Sequence, residues 1–151
     1  LKRAVRSLQS VAARDEIFLL SAHGRDVPQI IGSVEKLTQA VINLISNSLK
    51  FTPKQGLISV GAQIVRKGDA PEAIVITVTD SGMGIRAEDL EKIFEKYKQT
   101  GKKSLRGGGG TGLGLYIVKQ IIEAHGGEVS VASIEGVGTS MVLKLPVKRA
   151  A

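Results

Sequence analysis

Hydrophobic and polar positions follow two different periods along this chain, and each change of period marks an element. Residues 1–14 read as a helix, with Val5, Leu8 and Val11 or Ala12 on one face and Arg or Lys on the other. Glu16 to Leu20 and Gln29 to Ile31 are short apolar runs, expected as two strands joined by a polar turn holding His23, Gly24 and Asp26. Ser33 stands where an N-cap would accept from first-turn N–H groups, so a helix is expected from there to about Phe51. Thr52-Pro53 ends it, because a residue before proline is driven out of the α region, and Gly56 supplies a turn.

Leu57 to Val65 and Ala73 to Thr79 then read as a hairpin around the polar loop 66–72. Positions 74 to 79 are all Ile, Val or Thr, the composition of a sheet strand. Arg86 to Leu90 opens a short helix with acids in its first turns, where the helix dipole favours them, and this helix carries Ile93, Phe94 and Tyr97. Residues 98–110 have no periodicity and are expected to form a mobile loop. A largely apolar helix follows from Gly112 to about Ala124, capped by His125-Gly126-Gly127. Strands at Glu128 to Ala132 and Ser140 to Leu145 close the chain, with Pro146 ending the sheet. The layer solution that suits this order is α+β, a mixed sheet covered on one face by helices.

Composition narrows the class. At 151 residues and 42% hydrophobic content, one domain with one core is expected. Without cysteine there is neither a disulfide framework nor a thiolate metal site, so a cytoplasmic setting is the default expectation. Leu1 in place of an initiating methionine suggests a piece of a longer chain. The formal charge of +7 is concentrated in Lys92, Lys96, Lys98, Lys102, Lys103 and Arg106. With five aromatic residues in the whole chain, and only Phe94 and Tyr97 of them among these cations, nucleic-acid binding is not expected. A positive field of this kind draws in anionic ligands.

Two glycine clusters carry the candidate chemistry. In Asp80-Ser81-Gly82-Met83-Gly84-Ile85 a lone carboxylate ends a strand, and two glycines after it let the backbone come close to a flat ligand. An ionised carboxylate only accepts hydrogen bonds, so it suits an aromatic amino group. Gly107 to Gly110, Thr111, Gly112, Leu113, Gly114 and Leu115 run into a helix, where backbone N–H groups converge on phosphates. One loop for a base and one for a phosphate chain together indicate a nucleotide. Gln39, Asn43, Asn47 and Lys50 align on one side of the second helix, and two asparagines one turn apart in an apolar helix are expected to have a task. No P-loop occurs, and no Gly-x-Gly-x-x-Gly follows the first strand as a dinucleotide fold requires. Neither histidine has a ligand-spaced partner.

Asn43 to Pro53, Asp80 to Ile85, Ile93 to Tyr97 and Gly110 to Leu115, in that order, resemble the N, G1, F and G2 boxes of sensor histidine kinases. The resemblance covers roughly residues 1–147. It implies the Bergerat-fold α/β sandwich shared with DNA gyrase B and MutL, with ATP and Mg²⁺ as cofactors. It divides the chain into an N-terminal helix at 1–14 continuing from upstream, an ATP-binding catalytic domain at 15–147 and a tail at 148–151. It places Asp80 on the adenine amino group, Asn47 on Mg²⁺ and Lys50 beside the phosphates, with Phe51 near the base. Asn43, Asn47 and Lys50 are the implied catalytic set. Gly82, Gly84, Ile85, Tyr97, Gly110, Thr111, Gly112, Leu113, Gly114, Leu115 and Thr139 are the implied nucleotide contacts beside Phe51 and Asp80. ATP-hydrolysing relatives carry a glutamate at the position of Asn43, and an amide cannot act as a base. The resemblance therefore implies transfer of the γ-phosphoryl to a histidine on a separate dimerisation domain, with a response regulator downstream and no membrane contact by this domain. The alternative is a catalytically silent nucleotide-binding module of the same fold. The segment 98–110 takes the place of a lid, and Ser33 stands where many members have Asp.

Overall fold

The computed structural model describes residues 1–23, 28, 30–99, 104–107 and 110–147, for His23 the backbone alone. Helix α1 (Lys2–Arg14) leads into β1 (Phe18–His23), then α2 (Val34–Phe51), β2 (Leu57–Lys67), β3 (Ala70–Asp80), a 3₁₀ turn at Ala87–Asp89, α3 (Gly114–Ala124), β4 (Glu128–Ile134) and β5 (Gly138–Pro146). The five strands lie in the order β1-β2-β3-β5-β4, with β1 parallel to β2 and every other pair antiparallel.

The pleat decides which face the helices cover. Ile58, Val60, Val78, Met141, Leu143 and Leu145 are buried under α1, α2 and α3, whereas their strand neighbours Ser59, Thr79 and Lys144 are exposed. Helix α2 begins at Ser33, whose Oγ accepts the Lys36 N–H at 3.2 Å, and ends where Thr52 turns to extended backbone before Pro53. Its core face is Ala40, Val41, Leu44, Ile45, Ser48 and Leu49, the i, i+1, i+4, i+5 rhythm of a helix lying flat on a sheet. Burying Val41, Leu44, Ile45 and Leu49 contributes roughly 6–12 kcal/mol before entropy is counted. Leu44→Ala alone is expected to cost about 2–5 kcal/mol.

Several expected elements differ. The first strand starts later and runs farther, and it pairs in parallel with β2 rather than forming a hairpin with 29–31. Ile30 and Ile31 are not in a strand, and Ile31 is exposed, so the apolar run there lacks a partner edge; Gly24, Asp26 and Gln29 lie outside the described residues. The expected loop 66–72 shrinks to Gly68-Asp69, with β2 and β3 extended on either side. Pro71 misleads as a strand breaker. It pairs only with Arg66, beyond the end of β5 at Pro146, so its missing N–H interrupts no second ladder. The expected helix at 86–97 is a 3₁₀ turn followed by successive turns closed by Lys92 N to Asp89 O and Glu95 N to Lys92 O. Helix α3 starts at Gly114 rather than Gly112, and β4 and β5 run farther toward each other than expected.

The basic segment is also corrected in part. Leu105 N–H donates to Lys50 O at 3.0 Å. The Arg106 guanidinium reaches Leu49 O and Thr52 O and pairs with Asp15 through its Nε at 3.0 Å. The last carbonyls of a helix lack intrahelical donors, and a cation is favoured there. Arg106 is thus a docked cap of α2 rather than a solvated charge. Residues 100–103, 108 and 109, including Lys102 and Lys103, and the tail at 148–151 lie outside the described residues.

Candidate nucleotide site

A cleft of about 860 Å³ opens between α2, the end of β3, the turns after residue 89 and the start of α3. That size falls in the range of small-molecule sites. From α2 it receives Gln39, Asn43, Ser46, Asn47, Lys50 and Phe51, the stripe next to the buried one. The side chain of Asn47 has no hydrogen-bond partner among the described residues, while Asn43 Nδ2 donates to Gly114 O at 3.4 Å.

Asp80 closes one end. It is the last residue of β3, held between Ile58 and Thr139 on the adjoining strands. Its Oδ2 accepts Ser48 Oγ–H at 2.7 Å and its Oδ1 accepts Gly82 N–H at 3.0 Å. Burial pushes the carboxyl above its ordinary value, against the pull of the hydrogen bonds from Ser48, Gly82 and the Thr139 backbone. Below it, Ser133 Oγ accepts Ile85 N–H at 2.9 Å and donates to Gly138 O at 2.8 Å, so Thr139 Oγ1 is the donor in its 2.8 Å bond to Ser133 Oγ. This network ties the Gly84-Ile85 backbone to the β4–β5 hairpin.

The other end is basic and rich in N–H groups. Helix α3 begins at Leu113 and Gly114 with no side-chain cap, in contrast to α2. Its first-turn donors therefore face a cleft lined by Gly110, Thr111, Gly112, Leu113, Gly114 and Leu115. Lys50 stands opposite, its Nζ 3.7 Å from the place a Cβ on Gly110 would take, and Lys98 lines the same end. Among the described residues the charged groups lining the cleft are Asp80, Lys50 and Lys98. One end accepts and the other donates, the polarity that an amino-bearing base with an anionic tail requires.

The family model for histidine kinase-, DNA gyrase B- and HSP90-like ATPases matches residues 32–149. The chain belongs to that family. Within this ATPase family its relatives are sensor histidine kinases, and it is a domain of their ATP-binding type. It is 40% identical over 114 residues to the sensor histidine kinase WalK of Bacillus subtilis (strain 168), covering 76% of this chain and 18% of WalK. It is 40% identical over 132 residues to the sensor histidine kinase ZraS of Escherichia coli O157:H7, covering 87% of this chain and 26% of ZraS. The chain thus spans about a fifth to a quarter of the length of these curated relatives. The mycobacterial sensor histidine kinase MprB superposes with a TM-score of 0.80 at 29% identity, over 99% of this chain and 97% of that one. Full-length ShkA in complex with AMPPNP superposes with a TM-score of 0.83 at 26% identity, over 99% of this chain and 30% of that one.

In this ATP-binding domain, the structure brings together Asn43, Asn47, Lys50, Phe51, Asp80, Gly84, Ile85, the run from Gly110 to Leu115, and Thr139 around one cleft. It leaves out Gly82 and Tyr97. Gly82 is buried, and a Cβ there would stand 2.7 Å from Phe51 O, so the protein's own backbone occupies the space expected for a ligand. Gly84 lines the cleft but is glycine for a similar reason: at φ +66°, its Cβ would lie 2.1 Å from Ile134 O. The ring of Tyr97 is turned to solvent, and the residue is 71% exposed. Its part is played by the main chain, which at φ +60° donates to Gly112 O at 2.9 Å.

Ser48, Gln99, Ile117 and Met141 also line the cleft without an expected role there, as do Ile93 and Lys98, which the sequence marks only as parts of the short helix and of the basic segment. Ser48 had a readable signal: a hydroxyl within a buried helical stripe needs a partner, and a carboxylate at a strand end beneath that helix supplies one. The ring of His125 is fully engaged, with Nε2 accepting Ser33 N–H at 3.1 Å and Nδ1 against Ile121 O at 2.7 Å. That pairing makes Nδ1 the protonated nitrogen of a neutral imidazole.

Proposed function

We propose that this chain is the catalytic domain of a sensor histidine kinase, which binds Mg·ATP and presents its γ-phosphoryl to a histidine on a separate dimerisation domain. The observation that carries the reading is the polarity of the cleft, with buried Asp80 at one end and the uncapped start of α3 beside Lys50 and Lys98 at the other. In this reading Asp80 accepts from the adenine amino group, Phe51, Ile85 and Thr139 border the base, and the amides from Gly110 to Leu115 hold the phosphates. Lys50 neutralises charge that spreads over the γ-phosphoryl oxygens as the P–O bond breaks, so the domain supplies positioning and electrostatics.

The residues present suit Mg²⁺. No group of three His, Cys, Asp or Glu among the described residues is placed to hold a metal, and Asn47 offers an unengaged amide oxygen in the cleft. A hard cation that keeps phosphate and water oxygens as most of its ligands needs no more from the protein, and it supplies charge neutralisation on the phosphate chain when bound. Asn43, an amide, cannot take the proton of the attacking nucleophile, so the base belongs to the acceptor domain, as does the histidine. A response regulator is the onward acceptor in this reading.

Two incubations with labelled ATP test it, alongside calorimetry with Mg·ATP. The chain alone is expected to bind Mg·ATP and remain unlabelled. Added to the separately made dimerisation helices of the same kinase, it is expected to transfer acid-labile label to them. Label on the chain itself would overturn the assignment of the acceptor to another domain. Binding without transfer to the helices would make the chain a silent regulatory module.

A further inference from the structure

Ser48 is 4% exposed and sits in the middle of α2, where a serine commonly bonds back to the carbonyl one turn earlier. Instead its Oγ–H crosses to Asp80 Oδ2 at 2.7 Å, the length of a charge-assisted bond. The neighbours of Asp80 are all donors: Ser48 on α2, Gly82 N–H after β3, and the Thr139 backbone on β5. The other charges lining the cleft among the described residues, Lys50 from α2 and Lys98 from the turn before α3, are cations that also favour a carboxylate.

We propose that Ser48 is a positioning residue that keeps Asp80 an obligate acceptor, so that the cleft selects 6-aminopurine over 6-oxopurine nucleotides. The inference rests on the reading of Asp80 as the base reader. A carboxylate fixed by three donors meets an exocyclic amino group favourably and a carbonyl unfavourably. A carboxyl that has lost Ser48 is freer to rotate and takes a proton more readily, because burial already favours the neutral form. Once protonated it donates, and a 6-carbonyl becomes an acceptable partner.

The test is calorimetric binding of Mg·ATP and Mg·GTP to the full chain as wild type, Ser48→Ala, Ser48→Thr and Asp80→Asn, from mildly acidic to mildly alkaline pH. Ser48→Ala is expected to lose about three- to tenfold in ATP affinity through lost preorganisation. It should lose less for GTP, and the loss for ATP should grow as pH falls; Ser48→Thr should restore both. Equal losses for the two nucleotides at every pH, or no loss at all, would overturn the proposal while leaving Asp80 as base reader. Wild type without preference for ATP, or Asp80→Asn binding ATP as wild type does, would remove the base reader and the proposal with it.

Discussion

Replacing Asp80 by Asn separates what the carboxylate does for the ligand from what it does for the fold. The substitution keeps the shape, leaves one oxygen to accept Gly82 N–H, and puts an NH₂ where Oδ2 received Ser48 Oγ–H. Ser48 can reverse its role, since a hydroxyl also accepts. The fold is therefore spared. For the ligand, a hydrogen bond to a charged acceptor contributes about 1.5–3 kcal/mol, so ATP binding should weaken roughly 10- to 150-fold. Stability should move the other way. Burial raises the carboxyl above its ordinary value of 3.8, so in the window between that value and the folded one the native state holds more protons than the unfolded chain. Wild-type stability then falls as pH rises through that window, and ionised Asp80 is a net cost above it. Asp80→Asn should accordingly be as stable as wild type or more so at neutral pH, with the difference shrinking as pH drops below the ordinary carboxylate range. Calorimetry with Mg·ATP and urea denaturation across pH read both quantities. An ATP affinity within twofold of wild type would remove Asp80 from the site. A variant clearly less stable at neutral pH would show that the donors around the carboxylate outweigh its burial.

Three further substitutions test the supports of the cleft. Arg106→Ala strips the cap from α2 and leaves Asp15 without its second cation, so a loss of about 2–3 kcal/mol is expected, read as a fall of roughly 5–10 °C in Tm; an unchanged Tm would return Arg106 to the solvated surface. Gly84→Ala forces a Cβ onto Ile134 O at positive φ, and should cost more than about 2 kcal/mol and weaken ATP binding together, whereas unaltered binding would mean that the β4–β5 hairpin yields freely. His125→Ala breaks the tie from the end of α3 to the start of α2 and should cost roughly 1–2 kcal/mol in urea denaturation, yet leave phosphotransfer to added dimerisation helices intact; loss of transfer at full occupancy by ATP would give the imidazole a chemical role.

Local signals proved the most legible. Ser33, Thr52-Pro53 and His125-Gly126-Gly127 bound their helices as expected, because caps and breakers act within one turn. What escaped depended on partners distant in sequence. The choice between a hairpin with 29–31 and a parallel pairing with β2 is made by which edge is free, and no periodicity within 16–31 encodes that. Ile93 and Phe94 look like half of a helical stripe, yet Phe94 is half-buried and Ile93 is buried beneath the cleft from a chain of single turns. Gly82 shows the same limit at the site. Its lack of a Cβ was readable from the sequence, but whether ligand or Phe51 O filled the vacancy was not.

Helix α2 explains why the site can be both precise and assembled from distant pieces. One stripe of it, from Ala40 to Leu49, is spent on the core, and the adjacent stripe from Gln39 to Lys50 faces the cleft. The cleft residues thereby inherit the rigidity of fully buried neighbours one position away, the condition for holding amide and ammonium groups in a fixed geometry. The helix is also tied along its length. Ser33 is bound to His125 at the end of α3, Asn43 reaches Gly114 at its start, and the last carbonyls are capped by Leu105 and Arg106 from the segment leading into the glycine cluster. The glycine cluster is thus bracketed by bonds to α2, from Leu105 and Arg106 before it and from Asn43 to Gly114 at its end. Displacement of α2 would therefore be felt at Asn47 and Lys50 directly and, through Ser48, at the carboxylate of Asp80, whose backbone the sheet holds through β2 and β5.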